Sequence, residues 1–324
     1  MKLLKLVPDT TNIHFLRWRN LAMVVSVILT IASVVLVVQR GLNLGVDFVG
    51  GQMVRVTFEQ PVELDELRDT LGALGQGDPM VQQFGSANDV SIRMPLPEGD
   101  EGAANEAANR LKAAISTQYP GVTFGSVDTV SGKVSSELFR SGAIAMTFAM
   151  VAISIYIWLR FEWQFGFGAL FALVHDVALT FGFFALTQLE FDLNSVAAVL
   201  TIIGYSLNDT IVVYDRVREN LRKYRKMEMI PLLDLSVNET LARTIMTSLT
   251  MIIALVCLLF WGPEVIFGFT AIMLLGIFIG TYSSIYMAAP ILVWLKVGPD
   301  SFIPTEASVA AGAERMDRNE GAVP

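Results

Sequence analysis

Six long apolar runs, the first separated from the other five by roughly a hundred mostly polar residues, constrain this chain more than any other feature. A helix crossing a bilayer needs about 20 mostly apolar residues, because its backbone polar groups must be satisfied inside the segment. The runs lie at 21–38, 141–159, 166–189, 193–214, 244–261 and 265–295. The first is too long for a signal peptide and no A-x-A-like cleavage site follows it, so it reads as an uncleaved anchor. The last is long enough to tilt or break, with Pro290 marking the point where it frays. Composition agrees: 53% of the 324 residues are hydrophobic and only 17% charged, outside the usual range for a soluble domain.

Basic residues at span ends predict the orientation. Lys2, Lys5, Arg17 and Arg19 precede the first span, Arg160 follows the second, Arg216 through Lys226 follow the fourth, and Lys296 follows the sixth. The intervening connections at 190–192 and 262–264 carry neither lysine nor arginine. Both termini are therefore expected in the cytoplasm and the polar insertion on the far side, the periplasm if the cell has one. This partitions the chain into an N-terminal segment 1–19, a first span 20–38, a periplasmic domain 39–134, spans two to six over 135–296 with a basic loop at 215–243, and a disordered tail 297–324. The stretch 221–238 reads as a basic, partly amphipathic segment at the lipid surface or against a partner.

Inside the insertion, alternation predicts strands at 52–58, 80–84, 89–94 and 122–130, with helices at 63–74 and 101–118. The order βαββαβ is the ferredoxin-like split arrangement, a scaffold that implies no chemistry by itself. The expected fold class is thus a polytopic α-helical membrane protein of six spans, with a ferredoxin-like α+β domain between the first and second. The insertion contains no histidine or cysteine, and 95–102 reads as a solvated loop. A binding or lever role is expected of it rather than catalysis.

Ionisable groups within a span are functional candidates by default. Asp209 lies roughly 9 Å inside the cytoplasmic end of the fourth span, a depth from which an aspartate cannot reach water. Holding an aspartate neutral at pH 7 costs about 4 kcal/mol; inserting it charged costs about 2.5–3.5 kcal/mol. These similar costs suit a group that changes protonation state, and that reading is preferred over a structural aspartate hydrogen-bonded at a helix interface. His175 and Asp176 fall near the middle of the third span, where a proton relay and a satisfied interhelical contact remain equally open. Arg243 begins the fifth span; it is either a positive-inside anchor or a cation whose approach to Asp209 and withdrawal from it would load and release a proton. Gly276 and Gly280, followed by Thr281, Ser283 and Ser284, read as a packing seam rather than a conduction path.

Other classes are disfavoured. A net charge of −8 argues against nucleic acid, the single cysteine Cys257 allows neither an internal disulfide nor a cysteine zinc site, and no P-loop or glycine-rich nucleotide fingerprint occurs. No cofactor or metal is expected, and no enzymatic activity. A proton crossing 100 mV releases about 2.3 kcal/mol, a usable energy source.

The run Gly45-Val46-Asp47-Phe48-Val49-Gly50-Gly51 after the first span resembles the signature of the SecD/SecF family. Arg160-Phe161-Glu162-Trp163, Val174-His175-Asp176-Val177, the stretch from Ile203 through Arg216 and Arg243-Thr244-Ile245-Met246-Thr247-Ser248 resemble its SecF branch. The resemblance covers about 15 to 295 and implies a protein-translocation subunit related to the resistance-nodulation-division superfamily. It further implies use of the proton motive force to assist preprotein translocation. SecD would be the six-span facing half, the SecYEG translocon, YajC and the translocating preprotein further partners, and the lipid bilayer the surroundings. It places proton flow on Asp209 and Arg243, with Tyr205 and Asn208 in the same motif, and marks Gly45, Asp47, Gly50 and Gly51 as the family motif. Tyr214 stands where relatives often carry a small residue, and neither it nor the tail acquires a role. Half of a proton-driven small-solute exporter and a passive translocase scaffold are the competing readings. A two-carboxylate intramembrane protease pairing Asp176 with Asp209 has no other support.

Overall fold

The structure, a computed structural model, describes residues 8, 11–74, 79–83, 86–97, 101–263 and 266–298. A short 3₁₀ turn Phe15–Trp18 leads into α1 (Arg19–Arg40), followed by the single turn α2 (Val46–Val49). The insertion then forms β1 (Gly51–Thr57), α3 (Leu64–Gly72), β2 (Met80–Gln83), β3 (Asp89–Met94), α4 (Glu101–Gln118) and β4 (Thr123–Val130). Helices α5 (Gly132–Arg160), α6 (Trp163–Thr187), α7 (Leu193–Lys223) and α8 (Met229–Trp261) complete spans two to five. The sixth span is α9 (Phe267–Ser283), a π-helical turn Ser284–Ala288 and α10 (Ala289–Trp294). Among the described residues, six helices are thus long and apolar enough to cross a membrane.

The sheet is antiparallel in the order β2-β3-β1-β4, the split βαββαβ arrangement expected from the alternation. One face is apolar because alternate residues share a face. Val54, Val56, Val81, Val90 and Ile92 meet Leu67, Leu71, Leu111 and Ile115 of the two helices. The opposite face carries Met53, Arg55, Gln82, Ser91 and Arg93, and is turned toward the membrane helices. A bulge sets two residues of β4 against Arg55, between the pairs Val54–Val127 and Val56–Phe124. Phe84 and Gly85, part of the expected strand and turn, and 98–100 of the expected loop lie outside the described residues, as do 299–324 of the expected tail.

In the membrane body α6, α7 and α9 form the inner layer, and α1, α5 and α8 turn most of their apolar side chains outward. Leu159 and Trp261, for example, are both 82% exposed, as suits lipid-facing positions.

Two expectations need correction. The segment 215–243 is not a loop: α7 continues to Lys223, α8 begins at Met229, and only 224–228 is non-helical. The apolar side of 221–238, expected at the lipid surface or against a partner, packs within the chain instead. Val217, Leu221, Leu232, Leu233, Val237 and Leu16 belong to one core with Phe161, Phe165 and Leu292, so the two helices form a hairpin continuous with the helical body. At its base Arg216 pairs with Glu219 and Glu239, Arg218 with Glu162, and Arg160 with Asp215, whereas Arg222, Lys223, Arg225 and Lys226 nearer the turn are exposed and form no ion pair among the described residues. The N-terminal segment is fastened there too. Leu16 N donates to Asp234 Oδ1 and Ile13 N to Asn238 Oδ1, each at 2.9 Å.

Rather than fraying at Pro290 as expected, the sixth span runs on to Trp294 through a π turn that has a chemical cause. Pro290 has no N–H to donate one turn back, and the π turn immediately before it absorbs the mismatch. Tyr214, fully buried against Phe161 and Phe165, donates to the carbonyl of Ala288 at 2.9 Å. This gives Tyr214 the structural role that the sequence left unassigned.

Candidate functional site

The site is built where α7 and α9 approach most closely. A Cβ at Gly276 would lie 2.3 Å from Ile202 Cγ1, and one at Gly280 would lie 2.9 Å from Ser206 Cβ. Only the absence of side chains allows the two backbones this near. The seam ends at Ser283 and Ser284, and its proximity brings both hydroxyls onto carboxylates of neighbouring helices. The two residues read as packing are therefore also what delivers the polar groups.

Asp209 is buried on α7, 8% exposed. Thr244 of α8 donates to its Oδ1 at 2.5 Å, and Ser284 at the start of the π turn donates to its Oδ2 at 2.6 Å. Arg243 is exposed, and its guanidinium makes no hydrogen bond or ion pair among the described residues. The expected Asp209–Arg243 pair is thus not formed in this conformation, and neutral hydroxyls hold the carboxylate instead. Such a setting accommodates both protonation states. A hydroxyl can donate to a carboxylate or turn and accept from a protonated acid. Ser284 already has a second acceptor, Thr281 O, at 3.0 Å.

Asp176 is wholly buried on α6. It accepts from Ser283 at 2.7 Å and from Ser206, while His175 Nδ1 lies 2.8 Å from its other oxygen. Adjacent positions on a helix thus pair with each other rather than with a common partner. The His175 ring stacks on Tyr282, and its Nε2 is buried without a hydrogen-bond partner among the described residues. Tyr205 belongs to a hydroxyl chain: its OH lies 2.8 Å from Ser248 Oγ, which lies 2.9 Å from Thr281 Oγ1. Asn208, in contrast, is exposed and not part of the cluster.

Asn208 instead is exposed along α7 with Thr201 and Gly204, at helical spacing, as Arg243 and Thr247 are along α8. Small and polar groups in membrane-spanning helices usually face other protein rather than lipid. Sequence reasoning did not assign Ser206, Thr244, Ser248, Ser283 or Ser284 to the site. Their signal was present as hydroxyl residues at helical spacing, but such residues are common in membrane helices and only the packing selects these. Among the described residues no three histidine, cysteine, aspartate or glutamate side chains converge on a metal position.

Gly45, Asp47, Gly50 and Gly51 lie elsewhere, in a clip between α1 and β1. Gly50 (φ 76°) and Gly51 (φ 112°) adopt left-handed conformations that disfavour a side chain, and a Cβ on Gly51 would meet Met94 O at 2.7 Å. At Gly45 the requirement is space: a Cβ would lie 2.6 Å from Glu190 Oε1.

Two family models match the chain. Residues 110–298 match the C-terminal region of protein export membrane proteins SecD/SecF, and 35–62 match the SecD/SecF GG motif. The protein translocase subunit SecF of Rickettsia rickettsii is 43% identical over 292 residues, covering 89% of this chain and 94% of that one. Its counterpart from Cereibacter sphaeroides is 45% identical over 300 residues, covering 91% and 93%. Among solved structures, SecDF of Thermus thermophilus, a translocon-associated membrane protein, superimposes with a TM-score of 0.78 at 33% identity. A super-membrane-facing form of SecDF gives a TM-score of 0.65. The alignments cover 89% of this chain and 39% of each solved SecDF chain.

Proposed function

The chain belongs to the SecD/SecF family of protein export membrane proteins, and from that premise we propose that it couples proton movement through Asp209 to protein export. Its role is in export; the proton motive force is the energy source of this reading, and the chain acts as a translocation subunit rather than an enzyme. Asp209 takes up a proton from the periplasmic side and releases it toward the cytoplasm. Arg243 approaches when the carboxylate is charged and withdraws when it is neutral. His175, Asp176 and Tyr205 belong to the same polar path. Protonation changes shift α7 against α9, and the sheet domain moves with them.

The observation that carries this reading is a buried membrane carboxylate held by two hydroxyls, with an unpaired arginine one position from one of the donors. The exposed small and polar residues of α7 and α8 support a facing half, which we assign to SecD. SecYEG, YajC and the preprotein are the further partners. The distribution of basic residues supports an inner-membrane protein with both termini cytoplasmic.

Asp209→Asn tests the reading, because it keeps the size and removes the titration. With SecD present in inverted vesicles, the variant is expected to co-purify normally yet lose proton uptake and gradient-dependent export. Wild-type proton flux in an assembled Asp209→Asn complex would overturn the mechanism.

A further inference from the structure

The connection between α6 and α7 is gripped by the clip on one side and the sheet on the other. Phe191 N donates to Asn43 O at 2.7 Å, Gly45 N donates to Phe191 O at 3.0 Å, and Asn43 Nδ2 donates to Gln188 O at 2.9 Å. From the open sheet face, Arg55 pairs with Glu190 at 2.9 Å and Gln82 donates to Gln188 Oε1 at 2.7 Å. Arg93 donates to Leu44 O at 2.9 Å, tying the sheet back to the clip itself.

Among the described residues, one hydrogen bond from the clip reaches α7 directly. The first N–H groups of a helix have no partner within it. Asp192 caps Ser195 N at 2.8 Å, and Asp47 of the clip accepts from Leu193 N, the first residue of α7, at 3.0 Å. A carboxylate there also complements the positive end of the helix. Asp47 lies four positions before β1 begins at Gly51. At its other side stands a rigid helix that carries Asp209, sixteen positions from Leu193 and so roughly 24 Å along the axis.

We infer that Asp47 is a positioning residue that seats the N-terminus of α7 in the clip and passes displacement of that helix into β1. The inference rests on the proposed proton coupling at Asp209 and adds the place where that coupling leaves the membrane. Gly50 and Gly51 follow it because the chain must turn abruptly from the clip into the sheet. Gly45 precedes it because Glu190 must come close enough to meet Arg55. Asp47 takes no part in proton movement, so its loss separates two quantities that loss of Asp209 removes together.

The test uses the full chain co-expressed with SecD, comparing Asp47→Ala, Asp47→Asn and Asp209→Asn. Proton uptake and export are measured in inverted vesicles and assembly by co-purification. Asp47→Ala is expected to assemble, keep wild-type proton uptake and lose export by about tenfold or more. Asp47→Asn keeps an acceptor oxygen for Leu193 N and is expected to recover most of the export. Wild-type export in Asp47→Ala would overturn the inference, as would parallel loss of uptake and export that asparagine does not rescue. A second measurement does not depend on protons. Spin labels at Thr117→Cys and Ala197→Cys, in a Cys257→Ser background, report the separation of the sheet domain from α7. That distance distribution is expected to broaden in Asp47→Ala and not in Asp47→Asn. An unchanged distribution in both counts against Asp47 even if the Asp209 reading stands, and broadening confined to Asp47→Ala supports it even if that reading fails.

Discussion

Asp209 depends on two hydroxyls for its polar contacts, and this makes the hydroxyls testable in their own right. A hydrogen bond to a charged group contributes about 1.5–3 kcal/mol. Ser284→Ala removes one of the two donors without touching the titrating group. It is expected to slow proton uptake and export together by about ten- to a hundredfold, with assembly intact, whereas Ser284→Thr retains the hydroxyl and most of the activity. Ser283 donates to Asp176 instead, so comparing Ser283→Ala with Ser284→Ala measures how much each carboxylate contributes. Equal, wild-type uptake in both variants would remove the hydroxyl cluster from the path.

At the level of elements, the α7–α9 seam decides whether those hydroxyls arrive at all. Its close approach leaves no room for a side chain at Gly276, where a Cβ would fall 2.3 Å from Ile202. Overpacking of this kind costs about 1–3 kcal/mol. Gly276→Ala is therefore expected to lower the Tm in mild detergent and to reduce proton uptake, because separation of the helices withdraws Ser283 and Ser284 from their acceptors. Adding Ile202→Ala makes room for the methyl group and is expected to recover part of both losses. A double variant no better than Gly276→Ala would show that the seam acts by some means other than contact with Ile202.

Across the whole molecule, the junction of sheet and membrane helices contains an asymmetric ion pair. Burial disfavours the Arg55 cation, but Glu190 and Asp128 outweigh this and hold it charged. Burial also pushes the Glu190 carboxyl above the usual carboxylate range, more than Arg55 pulls it down. A carboxyl raised on folding favours the folded state most when protonated in both states. Its contribution is therefore full below the unfolded value and is lost as pH rises through the folded one. Stability of the intact chain is expected to carry this component, declining with pH across the window just above the ordinary glutamate value. Glu190→Gln, which cannot ionise, is expected to flatten it. Thermal melts of wild type and variant across that window provide the check, and identical slopes would exclude Glu190 as the source.

Some of this molecule was determined by its sequence alone. Length and polarity of each apolar run are local properties, and a bilayer span admits little besides a helix, so six spans could be read directly. Alternation in the insertion is equally local, and the βαββαβ order followed from it. The motif around Asp47 was also legible, because it depends only on neighbours in the chain. Tertiary structure decided what those residues touch. Thr244 and Ser284 lie 35 and 75 positions from Asp209, and no local periodicity distinguishes them from other hydroxyls in membrane helices. The hairpin of α7 and α8 was missed for a related reason. Its charged residues look like a solvated loop until Arg216 meets Glu239 and Asn220 meets Ser236 across the turn. Arg243 shows the same division most plainly: the sequence places it one position before a donor to Asp209, but the packing of α8 turns its side chain outward, away from a direct bond to Asp209.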